Sequence, residues 1–67
     1  MTINQKTIDA WNELKEHTDI EKISIHSGIS RVTISNAFKY KRASSSTILA
    51  IDKYFKEKKS LIKKLAS

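Results

Sequence analysis

The chain contains no cysteine and no proline, and its 67 residues include a single glycine. The lack of cysteine excludes disulfide bonds, thiolate zinc sites and cysteine nucleophiles, and it is compatible with a reducing compartment. Long apolar runs are also missing, since the longest, residues 48–51, has four residues against about 20 for a membrane-spanning helix. The N-terminal residues MTINQKTID lack the apolar segment of a signal peptide. We therefore expect a cytoplasmic protein that does not associate with membranes.

The short length limits the class of protein. A chain of 67 residues has room for one domain, spanning residues 1–67, and buries roughly 60% of the surface that its unfolded form exposes. A large cavity for a small-molecule substrate does not fit such a core. Because a core of this size rarely supplies more than about 3–5 kcal/mol, association with a second chain would add stability, and the oligomeric state stays open.

The spacing of apolar residues predicts an all-α fold, a compact bundle of about five short helices. The first helix should begin after an N-cap at Thr2 and end near His17 and Thr18. Its buried stripe contains Ile3, Thr7, Ile8, Trp11 and Leu14.

The second half of the chain continues the helical pattern. A serine of the segment 41–46 should cap a fourth helix, in which Tyr54 is partly exposed. The inner face of this helix contains Ile48, Ile51 and Phe55, with Leu49 beside them. The tail, about residues 58–67, is either a fifth helix or a continuation of the fourth, and its apolar residues should close the bundle.

Between these segments, residues 19–39 contain two short amphipathic patterns that meet at Gly28. Thr18 or Asp19 can cap the first of these helices, Gly28 can end it in the left-handed conformation, and Ser30 can cap the next. Ser24 is small enough for a close helix crossing. The seam between the two helices would contain Ile23, Ile29, Ile34 and Ala37. This arrangement predicts a helix-turn-helix, whose second helix can enter the DNA major groove.

The net charge of +6 is unevenly distributed along the chain. Residues 1–29 carry three lysines against five acidic residues, a net charge of −2, whereas residues 30–67 carry ten lysines or arginines against two acidic residues, a net charge of +8. The basic charge thus begins at the second helix of the motif, as expected if that side faces phosphates. A charge run alone is also typical of a solvated face, so this observation depends on the motif.

On these residues, the segment resembles the helix-turn-helix of Cro and cI type repressors of temperate phages and their bacterial relatives. The tract SRVTISNAF at 30–38 is similar to recognition helices of that family, and STILAIDKYF at 46–55 is similar to its fourth helix. The resemblance covers nearly the whole chain. It implies a phage-derived transcriptional regulator that binds an operator in double-stranded DNA in a bacterial host, usually as a homodimer on a pseudo-palindromic site.

The chain departs from the family pattern at three positions. Ile20 lies where many members carry a glutamine that contacts the DNA backbone, and Ser24 replaces the commoner alanine. Ile25 is apolar at a position that is usually exposed and polar. We expect Ile25 to pack against the first helix, with an exposed contact to another protein as the alternative.

The resemblance implies two classes of DNA contact. Arginine can donate two hydrogen bonds to guanine, asparagine can bridge adenine, valine can pack on a thymine methyl group, and serine is a less selective reader. The implied base contacts are Arg31, Val32, Ser35 and Asn36. The candidates for phosphate contact, which carries no sequence information directly, are Thr33, Lys39, Tyr40, Lys41, Arg42 and Ser45.

Catalysis and metal binding find little support in the sequence. Glu13 and His17 share a helical face, and His26 lies nine residues after His17. No second ligand motif, glycine-rich phosphate loop or nucleophile with a base accompanies them. We therefore expect neither an enzyme nor a cofactor or metal site.

The stronger alternative to an operator reader is a protein-binding module. Small phage regulators that resemble this family can act as antirepressors, which complex a repressor and modulate its binding to DNA. The candidate contacts to such a partner are Ile25, Val32, Leu61, Ile62 and Leu65.

Overall fold

The computed structural model describes residues 1–66, so the final residue of the predicted tail, Ser67, lies outside the described residues. Its four α-helices are α1 Gln5–Leu14, α2 Asp19–Ser27, α3 Arg31–Tyr40 and α4 Ser45–Ala66. The all-α prediction is confirmed, whereas the prediction of five helices is wrong for residues 1–66. Residues 45–66 form one helix of 22 residues, because they contain no proline or glycine to interrupt it.

The bounds of α1 differ from those predicted. Asn4, not Thr2, is the N-cap, and its side chain accepts a hydrogen bond of 2.8 Å from the Lys6 amide. The preceding residues are extended and pair with the α3–α4 connection, where the Ile3 amide donates to the Lys41 carbonyl at 2.8 Å and the Ala43 amide donates to the Met1 carbonyl at 3.0 Å. These residues therefore cannot be the first turn of a helix.

The core contains apolar side chains from all four helices and from the N-terminal segment. The buried apolar residues are Ile3, Ile8, Trp11, Ile23, Ile34, Ala37, Ile51 and Phe55. The rings of Trp11, Phe38 and Phe55 contact one another with centroids 5.6–6.3 Å apart, and the Trp11 indole donates to Asp52 Oδ1 at 3.3 Å. This aromatic cluster joins α1, α3 and α4, and it holds α3 by its inner face.

A buried carboxylate fixes α2 against α4. Asp19 is fully buried and accepts hydrogen bonds from Tyr54 Oη at 2.7 Å, from Lys58 Nζ at 2.5 Å and from the Glu16 amide at 2.9 Å. α1 ends at Leu14 and not near His17 and Thr18 as predicted. The hydrogen bond from the Glu16 amide to Asp19 explains this end, since residues 15–18 turn so that the amide reaches the carboxylate. Thr18 occupies the N-cap position of α2 without a side-chain capping bond.

The protonation states of this cluster follow from its contacts. Burial acts to raise the pKa of Asp19, but the hydrogen bonds from Lys58, Glu16 and Tyr54 and the charge of Lys58 together bring that pKa below its usual value. Burial, followed by the hydrogen bond to Asp19, raises the pKa of Tyr54 to about 12. Asp19 is therefore ionised and Tyr54 is a neutral donor at physiological pH.

Several apolar side chains that we expected to be packed are exposed. Ile25 is 73% exposed and does not pack against α1, and Leu49 is 68% exposed and does not lie on the inner face of α4. The tail does not close the bundle, since Leu61, Ile62 and Leu65 are 61%, 47% and 88% exposed. The reason is length: 22 residues span about 33 Å, whereas a helix of ten residues spans about 15 Å, so the end of α4 extends past its neighbours.

The Asp19 cluster predicts a loss of stability in acid. The pKa of Asp19 is lower in the folded state than in the unfolded chain, where it is near 3.9. The contribution of ionised Asp19 to the free energy of unfolding is therefore fully present above the unfolded pKa, and it is lost as the pH falls through the folded pKa. Asp19→Asn should lower the free energy of unfolding by about 1.5–3 kcal/mol near neutral pH and flatten its acid dependence. Urea denaturation followed by circular dichroism at a series of pH values measures both effects.

Glu16→Gln is the matched control for this prediction. The Glu16 carboxylate lies 3.6 Å from the same lysine, but its side chain is 69% exposed. Because exposed ion pairs contribute about 1 kcal/mol or less, this variant should retain nearly all of the stability and the acid dependence. Equal losses in the two variants would contradict the assigned role of Asp19.

Candidate nucleic-acid interface

The connection between α2 and α3 is a turn held by local hydrogen bonds. Gly28 has φ 75°, and its amide donates to the Ser24 carbonyl at 2.9 Å. Ser24 Oγ donates to the Ile29 carbonyl at 2.6 Å, across the turn. Ser30 then caps α3 by accepting a hydrogen bond of 3.2 Å from the Thr33 amide. The predicted roles of Gly28 and Ser30 are confirmed, and the turn sets the start of α3 next to α2.

The buried and the exposed residues of α3 lie on opposite faces of the helix, as the apolar spacing predicts. Ile34 and Ala37 are buried and Phe38 is half-buried on the inner face. The four residues implied as base contacts are all exposed on the outer face. The structure brings them together in one open hollow of about 370 Å³, lined by Arg31, Val32, Ser35 and Asn36 of α3 and by Ile20 of α2. Ile20 departs from the family pattern at a backbone-contacting position, and it is not among the base contacts predicted from the sequence.

The six candidates for phosphate contact lie outside this hollow. Thr33 is in the first turn of α3, and its hydroxyl is 2.8 Å from that of Ser30. The other five candidates lie between the end of α3 and the first residue of α4. Lys39 Nζ lies 5.3 Å from the centre of the Tyr40 ring, and Lys41 Nζ donates to Gln5 Oε1 at 2.7 Å. These residues are exposed, as are Arg42 and Ser45.

The loop between α3 and α4, residues 41–44, carries Lys41 and Arg42 and is called the basic loop; it is fixed from two sides. Lys41 adopts the left-handed conformation, with φ 57°, and its carbonyl accepts the bond from Ile3. On the other side, Ser44 Oγ accepts a hydrogen bond of 3.4 Å from the Thr47 amide and so caps α4, as predicted for a serine of this segment. The basic residues of the loop thus have a defined position next to the C-terminal end of α3.

The charges on α3 and on the segment after it differ from those on α4. All the ion pairs seen in residues 1–66 involve α4, between Lys56 and Asp52 at 2.9 Å and between Lys58 and Asp19 or Glu16. Within the same residues, Arg31 and Arg42 have no acidic partner within 4.0 Å. Their charges are therefore available to an anionic partner.

The hollow presents the chemical groups that base edges require. A guanidinium supplies paired donors, a carboxamide supplies a donor and an acceptor, and a hydroxyl supplies either. Val32 and Ile20 add aliphatic surface beside them. Such a set can distinguish base pairs in the major groove, where each pair presents its own pattern of donors, acceptors and methyl groups.

A second, larger groove lies between α2 and α4 and has a volume of about 980 Å³. Its ionisable residues include the paired Asp19 and Lys58 and the side chain of His26. In residues 1–66, no three histidine, aspartate or glutamate side chains are placed to hold a metal ion. Glu13 and His17 are both exposed. Over the same residues, no helix combines the length and the apolar character needed to cross a lipid bilayer.

No protein-family model matches the chain, and no curated protein or solved structure is significantly similar to it. A function therefore has to be inferred from its own side chains. The hollow beside α3 and the basic loop that follows it present the two arginines, neither of which has an acidic partner within 4.0 Å in residues 1–66.

The geometry of the turn predicts that the stability of the fold depends on glycine at position 28. Gly28 has φ 75°, and a Cβ atom built on it would contact nothing within 4 Å. Gly28→Ala therefore introduces only the strain of the left-handed conformation, about 1–2 kcal/mol, which urea denaturation should measure. Gly28→Asn, the control, should retain more stability because asparagine tolerates this conformation better. An alanine variant as stable as the parent would show that the turn does not need the left-handed residue.

Proposed function

We propose that the chain is a sequence-specific DNA-binding transcriptional regulator of Cro/cI type, derived from a phage and active in the cytoplasm of its bacterial host. In this proposal α2 and α3 form the helix-turn-helix, and α3 reads the major groove of an operator. The observation that carries the proposal is the exposed hollow that unites Arg31, Val32, Ser35 and Asn36. The opposite face of α3 is buried, so these four side chains are presented from a fixed helix.

The basic loop complements the hollow in this proposal. Lys41 and Arg42 of this loop, together with Lys39 and Tyr40 at the end of α3, would contact phosphates on either side of the groove. Their charge lies in the half of the chain with a net charge of +8. Since each neutralised phosphate contributes about −0.9 to the slope of log affinity against log salt, binding should weaken steeply as the salt concentration rises.

A functional regulator of this size requires a second subunit. One helix of ten residues makes a small contact, whereas specific interfaces bury roughly 1,000–2,500 Å² of protein surface. We propose a homodimer on two half-sites whose centres are about 34–36 Å apart, one turn of DNA. The exposed residues Leu61, Ile62 and Leu65 near the end of α4 are the candidate contacts between subunits.

Arg31→Ala tests the operator reader. Removal of a bidentate guanine contact should weaken binding to the preferred site by about 1–3 kcal/mol and relax the preference at one base pair. Selection of duplexes from a random library, followed by fluorescence anisotropy, measures both effects. Arg42→Ala is the matched control, because loss of a phosphate contact should reduce affinity for all sequences and lower the salt slope by about 0.9. An unchanged site preference in Arg31→Ala would contradict the proposal.

The second candidate function is that of an antirepressor, which binds a repressor protein and modulates its DNA binding. The observation that favours it is the exposure of apolar side chains on several surfaces, including Ile25 at 73% and Val32 at 69%. A protein partner could cover them, whereas Ile25 does not line the hollow assigned to DNA. The apolar residues of the tail would then contact the repressor instead of a second copy.

Ile25→Asp distinguishes the two functions. If the chain is an antirepressor, this change should abolish its complex with a Cro/cI type repressor, as measured by light scattering, because it places a charge in an apolar interface. Asn12→Asp, at an exposed site on α1, is the control and should leave the complex intact. Circular dichroism verifies that both variants fold. A complex that survives Ile25→Asp would exclude this surface as the contact.

A further inference from the structure

Ile20 places an apolar side chain from α2 on the surface that α3 presents to DNA. It is the second residue of α2 and is half-buried, in contrast to the core residue Ile23 of the same helix, which is fully buried. Its buried part packs against the core. Its remaining surface lines the hollow together with Val32. The hollow therefore has aliphatic groups from two different helices.

The chemistry of the major groove limits what these two side chains can recognise. Base edges present hydrogen-bond donors and acceptors, and the C5-methyl group of thymine is their apolar feature. An isoleucine side chain cannot donate a hydrogen bond to a phosphate. The hollow holds this aliphatic pair together with an arginine and an asparagine. It is thus suited to a thymine methyl group that lies beside bases to which the arginine and the asparagine can form hydrogen bonds.

We propose that Ile20 and Val32 together form a receptor for the C5-methyl group of a thymine in the operator half-site. This inference rests on the proposed function of the chain as an operator reader, and it adds a specificity determinant outside the recognition helix. The polar residues of the same hollow, Arg31 and Asn36, read the adjacent bases. α2 then contributes to base recognition through Ile20 and not only to the placement of α3.

Replacement of thymine by deoxyuracil tests the receptor. This replacement removes one methyl group and leaves the hydrogen-bonding groups of the base pair unchanged. The probe is a duplex enriched from a random library by the full chain, with each thymine of the half-site replaced in turn. At one thymine we expect a loss of affinity of roughly fourfold, the factor expected from the burial of one methyl-sized group, measured by fluorescence anisotropy.

Variants of the two side chains connect this loss to the hollow. In Val32→Ala and Ile20→Ala, the ratio of affinities for the thymine and uracil duplexes should fall from roughly four towards one. Val32 is exposed, so its variant should fold, and Ile20→Val, which removes one methyl group, tests Ile20 even if Ile20→Ala fails to fold. Ile25→Ala is the matched control, because Ile25 is an exposed isoleucine of α2 that does not line the hollow. Its ratio should stay at roughly four.

The outcomes separate this inference from the proposed function. If no duplex is enriched, the operator reader fails and the receptor fails with it. If a duplex is enriched but no thymine in it is sensitive to uracil, the chain reads DNA and the receptor is wrong. If one thymine is sensitive but the ratio does not change in Val32→Ala, the methyl group is read elsewhere and the assignment to this hollow is overturned. If the ratio falls in Val32→Ala but does not change in a folded Ile20 variant, the contribution of α2 is overturned.

Discussion

The Asp19 carboxylate accepts hydrogen bonds from Tyr54, from Lys58 and from the amide of Glu16, and the arrangement of the helices depends on this cluster. A buried charge is costly unless it is paired and hydrogen-bonded. Displacement of α2 along α4 would separate the buried carboxylate from Tyr54 and Lys58 and leave it with the bond from the Glu16 amide alone. Because α2 leads directly into the turn at Gly28, the same cluster determines where α3 begins.

The cluster also contributes to the distribution of charge on the surface. It neutralises Lys58 of α4, and on the same helix Lys56 is paired with Asp52. The exposed face of α3 and the loop after it keep arginines that have no acidic partner in residues 1–66. The paired charges of α4 are thus separate from these arginines on the surface that we propose to bind DNA.

The length of α4 leaves apolar surface exposed near its end. The helix buries Ile51 and Phe55 in the core, whereas Leu61 and Leu65 lie farther along it and are exposed. A small domain gains stability when such residues are covered by a second chain. This surface is compatible with both proposed partners, a second copy and a repressor, and the hollow that we propose to read bases is what favours the operator reader.

Local features of the fold could be predicted from the sequence alone. Gly28 ends a helix because it lacks a Cβ, Ser30 caps the next, and the spacing of Ile34, Ala37 and Phe38 determines which face of α3 stays exposed. These features depend on neighbours within a few residues. Tertiary structure alone decided the burial of Asp19, whose partners Tyr54 and Lys58 are 35 and 39 residues away in the chain. It also decided the pairing of residues 1–3 with 41–43, the exposure of the tail and the proximity of Ile20 to Val32, because contacts between distant segments leave no periodic pattern in the sequence.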